Sequence, residues 1–156
     1  MSLERTLFLI KIISNMNNKK IINEESKVAE AFVKVNRGTD GIANTLRSML
    51  PQFSGTANYY KHSFLDTKLV LTDGCAYLRE TAQCYWLFDL IAQQLPSKTD
   101  FIVKLKQHKE GHWIFSCQCF ISTEVFYTQK IPYSDFPLPE IIIWIENNIA
   151  LLPSEH

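Results

Sequence analysis

Only five glycines occur in 156 residues, and neither a dinucleotide-binding G-x-G-x-x-G nor a phosphate-cradling G-x-x-x-x-G-K-[ST] is present. G-x-S-x-G and H-E-x-x-H are missing too, which removes the nucleophile elbow of α/β hydrolases and the helix-borne zinc pair of metalloproteases. Sixteen basic residues balance sixteen acidic ones, so the chain lacks the net positive charge that drives nonspecific phosphate binding. No Cys-x-x-Cys pair exists among Cys75, Cys84, Cys117 and Cys119, and reduced thiols in a cytoplasm are expected. Long apolar runs are also lacking. The run Leu7 to Ile13 is interrupted by Lys11, falls far short of the roughly 20 residues of a membrane span, and has no small-residue cleavage site.

What remains is ordinary globular composition, 46% hydrophobic and 21% charged, at a length that suits one domain with a sizeable core. That domain divides into an N-terminal extension over 1–50 with two short helices and an α+β core over 52–156. In the extension, Val28, Ala31, Phe32 and Val35 follow helical spacing, and Asp40 is placed to cap a second helix with the stripe Ile42, Leu46, Met49, Leu50.

The core is organised around residues 72–95. At 100° per residue, Tyr77, Leu78, Tyr85, Phe88, Ile91, Ala92 and Leu95 share one face, with Arg79 and Gln83 opposite and Glu80 expected in solvent. Thr72 or Asp73 caps the start and Pro96 stops the end, which predicts one long helix over 73–95. After it, FIVKLKQH, HWIFSCQCF and EVFYTQKI have strand length and are separated by KEG and IST, so a meander is expected. A three-residue hairpin with Gly111 in the left-handed position sets His108 opposite His112, Leu105 opposite Phe115 and Val103 opposite Cys117. The predicted fold is therefore one long helix packed on an antiparallel sheet of about four strands, the fourth at 140–146. Helix stays open for that last segment, because Ile141, Trp144, Ile145, Ile149 and Leu152 also fit a helical stripe.

Chemistry-bearing residues are sparse. His62, Asp73 and Cys75 supply base, acid and nucleophile types near one helix entrance, and the N-terminal dipole there lowers a thiol pKa. Asp89, at the edge of the apolar face, is a candidate for a partly desolvated carboxylate. His108, His112, Cys117 and Cys119 suggest zinc by type, but the hairpin register sends the cysteines and histidines to opposite faces, so no metal or other cofactor is expected. The outward sheet face carries Lys104, Lys106 and Lys130 together with Ile102, Ile114, Phe120 and Phe126. Those four apolar residues are interface candidates, with a homodimer seam expected at Phe120 and Phe126.

QFSGTANYYKH at 52–62, LTDGCAYLRETAQCYWLFDLI at 71–91, YSDFPLPEI at 133–141 and LLPSEH at 151–156 together resemble a family of small uncharacterised bacterial proteins. The resemblance covers about residues 52–156 and departs at His156, where the family tends to have a tyrosine. It implies a bacterial, intracellular protein of a kind often found in cyanobacteria or on plasmids and phages. It also implies a strand-turn-strand at 140–152 with Asn147-Asn148 at the turn, and no inherited activity. The preferred function is a noncatalytic binding or protein-interaction module, with an unidentified protein or a second copy as partner. The alternatives are a small hydrolase or transferase using His62 with Asp73 or Cys75, and a nucleic-acid-binding accessory of a mobile element, which needs Lys104, Lys106 and Lys130 on one continuous surface.

Overall fold

The computed structural model describes residues 39–95 and 98–156, so the helical stripe at 28–35 lies outside the described residues. Helix α1 (Thr39–Met49) runs into a 3-10 turn at Leu50–Gln52, and Asp40 sits inside its first turn rather than ahead of it. Ala43, Leu46 and Leu50 are buried, while Ile42 and Met49 pack at the margin of the core.

The expected long helix is two. Helix α2 (Asp73–Ala82) ends at Gln83, which adopts the left-handed conformation at φ 53°, ψ 39°, and helix α3 (Tyr85–Gln94) starts after Cys84. The break is a Schellman-type closure: the Cys84 N–H reaches back to Arg79 O at 3.1 Å, and the Gln83 side-chain amide donates to Glu80 O at 2.6 Å. Left-handed backbone costs a non-glycine residue roughly 1–2 kcal/mol, and these bonds together with a fully buried Cys84 offset it. Helix α2 is not amphipathic in its surroundings either. Every residue from Asp73 to Thr81 is buried, including Arg79 and Glu80, both of which the helical wheel places in water.

Instead of four antiparallel strands, seven among the described residues form one mixed sheet in the order β1-β2-β7-β6-β3-β4-β5. The strands are β1 (Tyr60–Lys61), β2 (Val70–Leu71), β3 (Phe101–Gln107), β4 (Trp113–Gln118), β5 (Val125–Ile131), β6 (Glu140–Glu146) and β7 (Ile149–Leu151). The fold remains α+β, but the additional strands are two or three residues long, too short for alternation to reveal them, and β2 runs parallel to β7 through Val70↔Ile149 and Leu71↔Ala150.

The meander follows the hairpin geometry. Gly111 has φ +97°, His108 N–H donates to His112 O at 2.8 Å, and β3 pairs with β4 through Val103↔Cys117 and Leu105↔Phe115. Strands β6 and β7 form the strand-turn-strand with Asn147 and Asn148 both at positive φ, which suits a two-residue turn between twisted strands. One sheet face, with Phe101, Val103, Leu105, Phe115, Cys117, Ile143 and Ile145, is fully buried. The segment Ile141 to Ile145 is nevertheless covered on one side only, since Ile142 remains 37% exposed. Phe126 departs from the expected outward face. A register shift between Cys117 and Gln118 lets it turn inward and meet Phe101 edge-on at 5.5 Å.

The two ends of the core are clasped together. Glu155 accepts from the Leu152 N–H at 2.9 Å, the Thr72 hydroxyl at 2.7 Å and the Gly74 N–H at 3.1 Å, so a carboxylate 81 positions away caps the α2 N-terminus. Thr72 completes the cap by accepting from the Cys75 N–H at 3.4 Å. A Cβ on Gly74 would lie 2.5 Å from Glu155 Oε1 and 2.7 Å from Leu152 Cδ1. Gly74→Ala should therefore displace the carboxylate and lower stability by roughly 1–2 kcal/mol, read as a lower denaturation midpoint with unchanged m-value; an unchanged midpoint would mean that the clasp contributes nothing.

Candidate functional site

A cluster of titratable side chains gathers on and beside α2. His62, one residue beyond β1, is 2% exposed. Its Nε2 is 2.7 Å from Asp89 Oδ1 on α3, and its Nδ1 is 3.0 Å from an Arg79 terminal nitrogen on α2. A guanidinium has only donors, so Nδ1 must accept, and the proton therefore sits on Nε2 and is donated to Asp89. Arg79 continues the network, with Nε 3.5 Å from Glu80 Oε1, a weak ion pair, and its guanidinium 4.9 Å from the Tyr85 ring centroid. The Tyr85 hydroxyl donates to Glu80 Oε1.

Electrostatics agree with that tautomer. Burial lowers the His62 pKa below its ordinary 6.5, and the adjacent Arg79 charge lowers it further, against the hydrogen bond and charge of Asp89. Protonation would direct an N–H at a guanidinium N–H. A catalytic histidine needs one nitrogen oriented and the other free to take a proton. In this cluster the nitrogen that would face a nucleophile faces Arg79, so the unit is built to hold position rather than to relay protons.

The proposed trio is not assembled. Asp73 accepts from the Ala57 N–H at 2.9 Å and its own N–H donates to Thr56 Oγ1 at 2.9 Å, which ties down the loop before β1; neither it nor Cys75 hydrogen-bonds to His62. Cys75 is fully buried, and burial raises its pKa well above the ordinary thiol value, overriding the helix N-terminus that argued for activation. Burial likewise raises Cys84 and pushes Cys117 to about 12. Glu155, despite its three donors, is shifted upward, because its burial outweighs them. Asp89 was singled out from sequence as a boundary acid, but its partner, 27 positions away, carries no local signal. Arg79 and Glu80 were missed; their neighbours across the helix face gave no hint of burial.

Elsewhere, His108 and His112 stack at 4.9 Å on the hairpin tip, while Cys117 lies on the core face and Cys119 beyond the end of β4. The four do not converge, and among the described residues no group of three or more His, Cys, Asp or Glu could hold a metal ion. Among the described residues, no helix is long and apolar enough to cross a membrane. On the outward sheet face, cross-strand pairing aligns Trp144 with Ile102, Ile142 with Lys104, and Lys106 and Lys130 on either side of Ile114. Phe120 packs edge-on to Trp144 at 5.7 Å and stays 36% exposed.

The lowered His62 pKa makes a signed prediction. Between the folded value and 6.5, the unfolded chain binds the proton and the folded chain does not, so stability is complete above 6.5 and is lost as pH falls through the folded pKa. His62→Gln can donate to Asp89 and accept from Arg79 without titrating. It should flatten the acid limb of a stability–pH curve below about pH 6.5; an identical slope in both proteins would contradict a neutral His62.

Comparison with known proteins gives one match. No curated protein and no solved structure matches the chain. A family model described as a family of unknown function, DUF6876, matches residues 44–156. That span begins within α1, earlier than the resemblance at 52–156, and takes in His62, Arg79, Asp89 and the Glu155 clasp. The chain therefore belongs to DUF6876, a family of unknown function.

Proposed function

We propose that the chain is a noncatalytic protein-interaction module that works through the outward face of its sheet. One observation carries this: the best-placed chemical groups, His62 and Cys75, are bonded at both ring nitrogens and buried in the core respectively, whereas apolar side chains remain at the surface. His62 has no free lone pair and Cys75 lies in the core. Against that, Phe120 and Ile142 are 36% and 37% exposed, and Ile102, Ile114 and Trp144 are half-buried beside them. A contiguous apolar surface rimmed by polar residues is what a protein partner desolvates. The rim is mixed in sign, with Lys104 3.3 Å from Glu140 and Glu146 2.9 Å from His156. That mixture favours a protein over a nucleic acid: Lys106 and Lys130 are parted by Ile114, and Lys104 is partly neutralised. Four free thiols suit a reducing, intracellular setting.

The test is affinity capture from the source cell using wild type and a Phe120→Glu/Ile142→Glu double variant, with far-UV circular dichroism to verify folding. Wild type should retain a protein that the variant binds at least about tenfold more weakly. Partners retained equally by both would remove the face from the account. Turnover of ester, amide or phosphate substrates that disappears in Asp89→Asn would replace the module with an enzyme.

A further inference from the structure

The two edges of the sheet are unlike. The β1 edge is two residues long and carries Lys61, which is how natural sheets discourage pairing with another chain. The β5 edge is seven residues, VFYTQKI, without proline and with one charge, Lys130. Among the described residues no strand lies beyond it. Its one irregularity, the shift that leaves Phe126 without a β4 partner, falls near its start and leaves Tyr127 to Ile131 regular. β-branched and aromatic residues dominate, so it has the makeup of an interior strand at an exposed position.

We infer that β5 pairs antiparallel with β5 of a second copy, about a two-fold axis at Thr128, to give one continuous sheet across the dimer. This goes beyond the interaction-module reading, because it concerns the sheet edge and leaves the outward face free. Centring on Thr128 pairs Thr128 with its own copy and Tyr127 with the partner's Gln129, all within the regular stretch 127–131. No charge then opposes a like charge, and the two threonines form a favourable cross-strand pair. The axis is perpendicular to the sheet, so outward faces stay on one side and the helices on the other. Tyr133, 83% exposed, arrives beside the partner's turn, where Ile121 is wholly exposed. These large apolar side chains flanking the strand acquire cover that the single chain does not supply. Because, among the described residues, β5 is the one long edge and the β1 edge is two residues long, pairing stops at two copies instead of propagating into a fibre.

The seam therefore differs from one centred on Phe126. That ring packs against Phe101 within its own subunit, so a charge there would damage the core. Thr128 is exposed and pairs with Ser116 on β4, so a charge is tolerated by the monomer.

Sedimentation velocity over a concentration series tests the inference. Wild type should be dimeric, Thr128→Asp and Thr128→Lys should each dissociate at least about tenfold more readily, and their equimolar mixture should recover the dimer because opposite charges then meet at the axis. In parallel, Thr128→Cys should form a disulfide-linked dimer on mild oxidation, since residues paired across antiparallel strands have Cα atoms roughly 4.5–5.5 Å apart, within disulfide reach. The crosslink decides the matter if either charged variant fails to fold. A wild type that stays monomeric at all concentrations overturns the inference while leaving capture of another protein by the outward face intact. A dimer insensitive to both charges, with no crosslink at Thr128, overturns it as well.

Discussion

A guanidinium buried under the first of two central helices must find acceptors, and the places where Arg79 finds them hold the α-helical layer to the sheet edge. Arg79 is 7% exposed and donates to His62 Nδ1 just after β1; His62 in turn donates to Asp89 on α3. Three separate pieces of chain are thus joined by two charge-assisted bonds in a low-dielectric setting, where such bonds are strong and a missing partner is costly. Removing any one member strands the others. In the same geometry the acceptor nitrogen of the imidazole is occupied by an arginine and is not open to take a proton as a general base. Asp89, whose side chain is 35% exposed, is the member of the trio that meets water.

A second fastening works on the opposite side of α2. Strand β2 leads into Thr72 and parallel β7 leads towards Glu155, so the carboxylate that caps the helix also secures this parallel pair. Gly74 is required where these meet, since backbone and side chain approach too closely for a Cβ. His156 extends the contact by placing its ring 4.7 Å from Trp144 on the outward face. The segment 152–156 thereby links the helix cap to the surface proposed for partner contact.

Much of the sheet could be read from residues alone because its devices are local. A glycine two residues before Trp113 defines the hairpin, and alternation then assigns Val103, Leu105, Phe115 and Cys117 to one face. What escaped was non-local or contrary to propensity. Gln83 has no particular taste for left-handed backbone, so nothing in TAQCY announces a helix end. A two-residue strand such as β1 has no period to detect. Arg79 and Glu80 look like solvent-facing residues on a helical wheel until Tyr85, His62 and the rest of the fold surround them. Phe126 changed sides because one register shift reverses the alternation that placed it outward. The site was legible as residue types, with His62 and Asp89 both singled out, but not as a pairing across 27 positions.

The protonation state of His62 is where the fold and the function meet, and nitrogen-15 NMR of the histidine side chains reads it directly. The neutral tautomer with the proton on Nε2 and a bare, hydrogen-bond-accepting Nδ1 should persist from pH 8 to below the ordinary histidine value of 6.5, and Arg79→Ala should shift its titration upward or unfold the protein. An imidazolium at neutral pH, or a proton on Nδ1 with Nε2 bare, would contradict the account and return His62 to the list of catalytic candidates.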